Sequence, residues 1–187
     1  MLDLTLGHLA LALIAFAALA LVIARGRDRF DGPFVCHHVI DGDTIIVARP
    51  QHYRGRYTRR EHQRRIRLLN IDTPESVKPD HPVEAGALEA AALLRSFLPA
   101  GARVYLAYGV ERHDRYGRTL AAVYLQHPKG SYRVRGRPAV ELGEQLALHG
   151  LARAISIGPN VRFAGRARAA QARAQRERRG LWSAQRA

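Results

Sequence analysis

The alternation of apolar and polar residues along the chain predicts short strands interspersed with helices. Apolar runs bounded by glycine, proline or aspartate predict strands, because these residues favour turns or interrupt ladder hydrogen bonds. The predicted strands are residues 39–40, 45–47, 67–71, 102–107 and 119–125. Apolar residues and stop signals at helical spacing predict helices over residues 84–98, 139–149 and 165–179. A chain of 187 residues can hold these elements in one domain with a short appendage.

The appendage is the N-terminal segment. Residues 4–24 are apolar at all but two positions, and their number suits a helix that crosses a bilayer. Basic residues follow at once (Arg25, Arg27 and Arg29), which favours an uncleaved membrane anchor. The alternative is a secreted or periplasmic protein after signal cleavage, although the basic region that normally precedes a signal core is missing. The side of the membrane is left open by these residues.

The chain is strongly basic, with 30 lysines and arginines against 16 acids and a formal net charge of +14. A charge of this size indicates a polyanionic partner, with DNA or RNA as the first candidate and anionic lipid as the second. Cys36 is the single cysteine, so an intramolecular disulfide and a thiolate metal site are excluded. No protein partner is indicated.

Three polar turns carry the candidate chemistry. They are Asp41-Gly42-Asp43-Thr44, the stretch Arg67 to Glu75, and Asp114-Arg115-Tyr116-Gly117-Arg118. Each turn by itself could be an ordinary hairpin turn or a helix cap. Carboxylates that face one small volume, however, suit a hard cation, with one carboxylate left over as a base.

In these three motifs the chain resembles the staphylococcal nuclease family. Shorter matches at residues 150–152 (Gly-Leu-Ala) and 180–183 (Gly-Leu-Trp-Ser) extend the similarity over residues 34–183. The resemblance implies an α+β fold that is mainly β: a five-stranded OB-like barrel with about three packed helices, here preceded by the transmembrane helix. The expected segments are a hydrophobic segment 1–25, a basic linker 26–33, the nuclease-like domain 34–183 and a tail 184–187.

The resemblance also implies a metal site. Asp43, Asp72 and the carbonyl of Thr73 are the expected ligands of one divalent ion. Ligation by oxygen alone favours calcium or magnesium over zinc, and the resemblance selects calcium, with magnesium second.

A calcium-dependent nuclease acting on DNA, and also on RNA, is the function that the resemblance implies. Endonucleolytic cleavage is expected rather than exonucleolytic cleavage. Glu75 is the expected general base, which takes a proton from the attacking water. Arg67 and Arg118 are expected to donate hydrogen bonds to the phosphate and to stabilise the charge that grows in the transition state.

Substrate contacts are expected from Tyr116 and Arg115, next to Arg118. The family carries base-stacking tyrosines after the Gly-Leu-Ala motif, whereas residues 153–160 contain no aromatic residue, which predicts a weaker hold on single bases. Residues 48–65 form an insertion relative to the family, dense in arginine with interleaved tyrosines. That composition suits contacts with phosphates and bases, or equally a solvated loop.

Two other classes of protein compete with a nuclease. The first is a non-catalytic, membrane-tethered OB-like module that binds nucleic acid. The second is a lipid-surface protein, which would explain the charge and the apolar segment but not the acidic turns. Strand scission that depends on calcium would distinguish a nuclease from both.

Overall fold

A computed structural model describes residues 30–75 and 84–183 of the chain. Its centre is a closed barrel of five strands: β1 (Asp31–Val39), β2 (Thr44–Ala48), β3 (Gln63–Leu68), β5 (Arg103–His113) and β6 (Thr119–Gln126). They lie in the order β3-β2-β1-β5-β6, and a parallel pairing of β3 with β6 closes the barrel. The predicted α+β, OB-like barrel is therefore confirmed.

Smaller strands and three helices surround the barrel in the described residues. Strands β7 (Tyr132–Val134) and β8 (Arg137–Glu141) extend the sheet beyond β6, and β4 (Ile71–Asp72) pairs with β9 (Arg153–Ala154). The helices are α1 (Ala87–Phe97), α2 (Leu142–Leu148) and α3 (Ala164–Arg176). Short 3-10 turns lie at Pro50–His52, Arg60–His62 and Gly180–Trp182.

The barrel strands form because their side chains alternate between the core and the outside. Ile45 and Val47 of β2 are fully buried in the core, as are Ile66 and Leu68 of β3. Helix α3 packs by a different pattern, since its buried residues are alanines at a spacing of three and four (Ala164, Ala167, Ala170 and Ala174). Small side chains let this arginine-rich helix approach the core while its guanidinium groups stay on the outer side.

The predicted helix over residues 139–149 is wrong at its start. Ala139 and Val140 belong to β8, where they pair with Gln126 and Leu125 of β6. The helix begins only at Leu142, because the carboxylate of Glu141 accepts hydrogen bonds from the first free backbone N–H groups, those of residues 143 and 144. Long-range strand pairing has outweighed the local helical periodicity.

The predicted N-terminal anchor, residues 4–24, lies outside the described residues. Within the described ranges no helix is long and apolar enough to span a bilayer. Membrane attachment thus stays a prediction from the sequence.

Candidate active site

The turn between β1 and β2 is pressed against the chain segment that follows β4. Gly42 sits at the point of closest approach, where a Cβ atom would lie 2.7 Å from the hydroxyl oxygen of Thr73 and 2.8 Å from the Cβ of Ala90. A larger residue would push the two segments apart. Glycine at this position therefore lets Asp43 reach Thr73, whose backbone N–H and hydroxyl both donate to Asp43 Oδ2, at 3.3 and 3.2 Å.

Arg67 joins these segments through a buried guanidinium group. Its Nη1 donates to the backbone carbonyls of Leu68 and Ile71, each at 2.8 Å. Its Nη2 lies 2.8 Å from Asp72 Oδ1 and 3.1 Å from Asp43 Oδ2. The carboxylates of Asp43 and Asp72, which the sequence analysis assigned to a cation, therefore both contact Nη2 of Arg67. Both terminal nitrogens of Arg67 are bound within the protein.

Burial makes the negative charge of Asp43 costly. Desolvation raises the pKa of this carboxyl from 3.8 to about 6, although the guanidinium of Arg67 acts in the opposite direction and the carboxylate of Asp41 adds to the rise. Thr44 also donates its hydroxyl to Asp43 Oδ1 at 3.0 Å. The site therefore holds a carboxylate whose charge the arginine compensates only in part.

Asp43 and Asp72 face a cavity of about 150 Å³. The residues that line it come from all three polar turns: Asp41, Asp43, Arg67, Asp72, Thr73, Pro74, Glu75 and Arg118. The fold thus brings together the six residues predicted as metal ligands, base and phosphate-binding arginines. It also adds Asp41, which the sequence reasoning missed although it belongs to the same turn motif; its Oδ1 accepts the backbone N–H of Asp43 at 3.0 Å.

The excess of negative charge is the feature of this cavity that fits a cation. Four carboxylates face two guanidinium groups, which leaves two formal negative charges in a chain that is otherwise strongly basic. All candidate ligands are oxygens, as calcium and magnesium prefer. Residues 30–75 and 84–183 contain no group of three or more His, Cys, Asp or Glu side chains arranged to hold a metal ion. The donor set therefore suits a divalent ion, while Arg67 occupies the space between the two aspartates.

Arg118 is held at the edge of the cavity by its own turn. Its Nε donates to Asp114 Oδ2 at 2.6 Å, and its backbone N–H donates to Oδ1 at 2.9 Å. Burial alone would raise the pKa of Asp114, but the hydrogen bonds and charge of Arg118 outweigh it, and the pKa is lowered. This ion pair uses Nε, and among residues 30–75 and 84–183 the terminal nitrogens of Arg118 donate no hydrogen bond, so they can bind a phosphate.

Tyr116 and Arg115 lie beside Arg118 but outside the acidic cavity. Tyr116 is 68% exposed, and Arg115 donates to its hydroxyl at 2.6 Å. Both residues line a neighbouring cavity of about 360 Å³, which also includes Arg67 and Arg118. The predicted substrate contacts therefore border the predicted catalytic arginines.

Two isoleucines, together with Leu120, form the apolar side of this second cavity. Ile155 and Ile157 occupy the stretch in which the resemblance to the family placed stacking tyrosines that this chain lacks. Asn160 fixes this stretch to β5, because its buried amide accepts from the backbone N–H of Glu111 and donates to the carbonyl of the same residue, both at 2.9 Å. The cavity therefore offers an aliphatic surface, and its one aromatic ring in the described lining is that of Tyr116.

The closed five-stranded barrel places this chain among OB-like proteins, and the cavity between its turns combines carboxylates with arginines. A sequence model of the family described as Staphylococcal nuclease homologue matches residues 65–184. The chain belongs to this family, as its motifs indicated.

Similarity to individual proteins extends over most of the chain. The thermonuclease of Staphylococcus hyicus is 38% identical over 145 residues, which are 78% of this chain and 72% of that protein. The thermonuclease of Staphylococcus intermedius is 34% identical over 149 residues, or 80% and 75% of the two chains. The endonuclease YncB of Bacillus subtilis strain 168 is 30% identical over 146 residues, or 77% and 58%.

Proposed function

We propose that this chain is a calcium-dependent nuclease that hydrolyses phosphodiester bonds in DNA, and in RNA as a second substrate. The observation that carries the proposal is the convergence of Asp43, Arg67, Asp72, Glu75 and Arg118 on one cavity. The names of the relatives, thermonuclease and endonuclease, support the same class of reaction. The endonuclease name also favours cleavage within a strand over cleavage from its end.

Hydrolysis of a phosphodiester requires positive charge next to the phosphate, which Arg67 and Arg118 provide. A phosphodiester resists hydrolysis because its anionic oxygens repel the nucleophile, so an enzyme must neutralise the phosphate and activate water. Arg118 can donate its terminal N–H groups to phosphate oxygens, and Arg67 adds fixed positive charge. Their charge stabilises the additional negative charge of the transition state.

Asp43 and Asp72, with the carbonyl of Thr73, would hold the calcium ion. When bound, calcium withdraws charge from a phosphate oxygen and makes phosphorus a better target for attack. The partly uncompensated charge of the buried Asp43 favours this role, because a cation would relieve the cost of its burial.

Glu75 is the proposed general base. Its side chain is exposed at the rim of the cavity, where it can reach a water molecule. Its backbone is fixed to Glu84, since the N–H of Glu75 donates to Glu84 Oε2 at 3.1 Å and the N–H of Glu84 donates to the Glu75 carbonyl at 3.0 Å. This fixed backbone keeps the carboxylate beside the cavity while it takes the proton from the attacking water.

The test is cleavage of labelled single- and double-stranded DNA by the full-length chain, with calcium or with a chelator. Glu75→Gln is expected to lower kcat by about 10²- to 10⁴-fold, the usual contribution of a general base. Glu89→Gln, which removes an exposed carboxylate on α1, is the matched control and should cleave normally. Salt-sensitive binding without any calcium-dependent cleavage would contradict the proposal and leave a binding module.

Attachment to a membrane through residues 4–24 is a separate proposal. It is supported by the length and apolarity of the segment and by the arginines that follow it. Sedimentation of the full-length chain with membranes, compared with a chain lacking residues 4–24, tests it directly.

A further inference from the structure

The inserted loop between β2 and β3 has a defined structure. Thr58 is 5% exposed, and its hydroxyl accepts from the backbone N–H of Arg54 and donates to the carbonyl of Gly55, both at 2.8 Å. Backbone hydrogen bonds from His52 to Arg49 and from His62 to Arg59 form a turn at each end of the loop. The loop is therefore folded around Thr58 rather than being a solvated tether.

This loop encloses a cavity of about 330 Å³, called here the loop cavity. The residues that line it are all polar or aromatic: Gln51, His52, Arg54, Tyr57, Arg59 and His62. Among these lining residues none is acidic. Glu61 lies nearby, 3.6 Å from both Arg59 and His62, and compensates part of the charge. The cavity thus combines two guanidinium groups with three aromatic rings, of which Tyr57 is 72% exposed.

The two histidines shape the wall of the loop cavity rather than form a metal centre. The rings of His52 and His62 are stacked, with centroids 4.0 Å apart and an angle of 15° between the planes. Nitrogens of parallel rings point along the ring planes and do not converge on one position between them. Such an aromatic surface suits a planar ligand, because aromatic rings stack on other π systems.

The loop cavity lies at the opposite end of the β2–β3 ladder from the acidic cavity. Thr44 pairs with Arg67, whereas Ala48 pairs with Gln63, a separation of four residues or about 13 Å along the strand.

Gln63 and Arg65 connect the two ends. Alternation along β3 places both on the strand face that carries Arg67. Gln63 donates its side-chain amide to the carbonyl of Thr58 at 2.8 Å and so fixes the loop to this face. The exposed Arg65 lies between the acidic cavity and the loop, and adds a positive charge on the path between them.

We propose that the loop cavity is a second contact site for a single nucleic-acid strand, separate from the site of cleavage. Arg54 and Arg59 bind phosphates there, and a base stacks on Tyr57. The strand runs from the acidic cavity past Arg65 to the loop, a path of at least about 13 Å along the β2–β3 ladder. This inference rests on the proposed function, since it assumes the same substrate. It assigns a role to the insertion and an aromatic contact for the strand outside the isoleucine-lined cavity.

Nucleic acid is favoured over an anionic membrane by the shape and composition of the site. Anionic lipids are recognised through basic residues alone, whereas the arginines here border a concavity with aromatic walls. A nucleotide presents both phosphate and a planar base, which matches the two kinds of lining residue.

The experiment compares the full-length chain with two loop variants, Tyr57→Ala and Arg54→Gln/Arg59→Gln. The double variant Arg133→Gln/Arg137→Gln, on the β7–β8 hairpin, is the charge-matched control. Two quantities are measured: the ratio of kcat/KM for a 20-nucleotide strand to that for a dinucleotide, and the affinity for the 20-nucleotide strand in chelator, where cleavage is suppressed. Circular dichroism confirms that each variant is folded.

Tyr57→Ala should weaken binding of the long strand by roughly 5- to 150-fold, the contribution of one stacked base. Arg54→Gln/Arg59→Gln should reduce the slope of log affinity against log salt by about 1.4, since each lost phosphate contact on a single strand accounts for about 0.7. Both should lower the ratio of kcat/KM for long over short substrates. The control variant Arg133→Gln/Arg137→Gln should keep the native kcat/KM ratio and the native affinity for the 20-nucleotide strand.

Long-strand binding and a kcat/KM ratio that do not change in folded loop variants would overturn the inference. The inference would also be overturned if the loop variants lost binding to phosphatidylserine vesicles but bound the oligonucleotide normally. The loop would then be a lipid contact. Loop-dependent binding of the strand by a chain that does not cleave in calcium would support the second site while refuting the nuclease. Normal calcium-dependent cleavage that the loop substitutions do not change would support the nuclease and refute the second site.

Discussion

Replacing Arg67 by glutamine tests how the site balances its charges. The Arg67 side chain is 8% exposed, and its guanidinium contacts two backbone carbonyls and the carboxylates of Asp72 and the buried Asp43. Removing one partner of a buried ion pair costs about 3–5 kcal/mol, because the remaining charge is left uncompensated. Protonation of Asp43 limits the loss, since its pKa is already raised to about 6. We therefore expect Arg67→Gln to lower the free energy of unfolding in chelator by at most about 3–5 kcal/mol, which would lower the Tm by at most roughly 6–20 °C.

Calcium should reverse part of this loss. In the native chain Arg67 lies between Asp43 and Asp72, so it competes electrostatically with a cation for both carboxylates. The repulsion between a unit positive charge and a doubly charged ion 4 Å away is about 8 kcal/mol at an effective dielectric constant of 20, which sets an upper figure for the gain in calcium affinity. Thermal unfolding at increasing calcium concentration is the assay, because a ligand that binds only the folded state stabilises it by RT ln(1 + [L]/Kd), which is larger for tighter binding. The Tm of Arg67→Gln should rise more steeply than that of the native chain.

Arg118→Gln is the matched control for this reasoning. Its guanidinium pairs with Asp114 at the cavity edge and is a quarter exposed, so its loss should cost about 1 kcal/mol or less. Both variants are expected to cleave poorly, since Arg118→Gln removes the guanidinium that binds the phosphate and Arg67→Gln removes fixed positive charge beside it. A stability loss below 1 kcal/mol for Arg67→Gln, or a loss that calcium does not reduce, would refute the account of Arg67 as the group that neutralises the two aspartates.

Two further predictions concern stability and substrate. Burial raises the pKa of Glu141 from 4.5 to about 7, outweighing its hydrogen bonds from the backbone of α2. The folded state therefore binds the proton more tightly, and stability should fall as pH rises from about 4.5 to 7, by up to about 3 kcal/mol. Glu141→Gln should flatten this part of the profile in denaturant titrations, and an unchanged slope would contradict the assignment. Ile155→Tyr and Ile157→Tyr should each tighten binding of a mononucleotide by roughly 5- to 150-fold, measured by calorimetry, because a stacking ring replaces an aliphatic wall. Equal affinities would show that the isoleucine wall does not face the base.

Much of the barrel could be predicted from local sequence. The Asp-Gly turn at residues 41–42 joins two strands as expected, and the strand over residues 119–125 is observed as β6. Such signals are local, because turn chemistry and side-chain alternation act between near neighbours in the chain. Strand β5, by contrast, runs on to His113, six residues beyond its apolar part, because pairing with β6 continues up to the Asp114 turn.

The sequence by itself determined the family, the residue types of the site and the excess of positive charge, since motifs and composition need no coordinates. Only the tertiary structure decided which of these residues meet. Pairing of Thr44 with Arg67, and of Arg67 with Leu120, brings three distant turns to one cavity and adds Asp41 to it. The loop cavity is also a product of folding, because residues ten apart in sequence stack only when the loop closes around Thr58. Contacts over such distances depend on strand register and burial, which a local pattern does not encode.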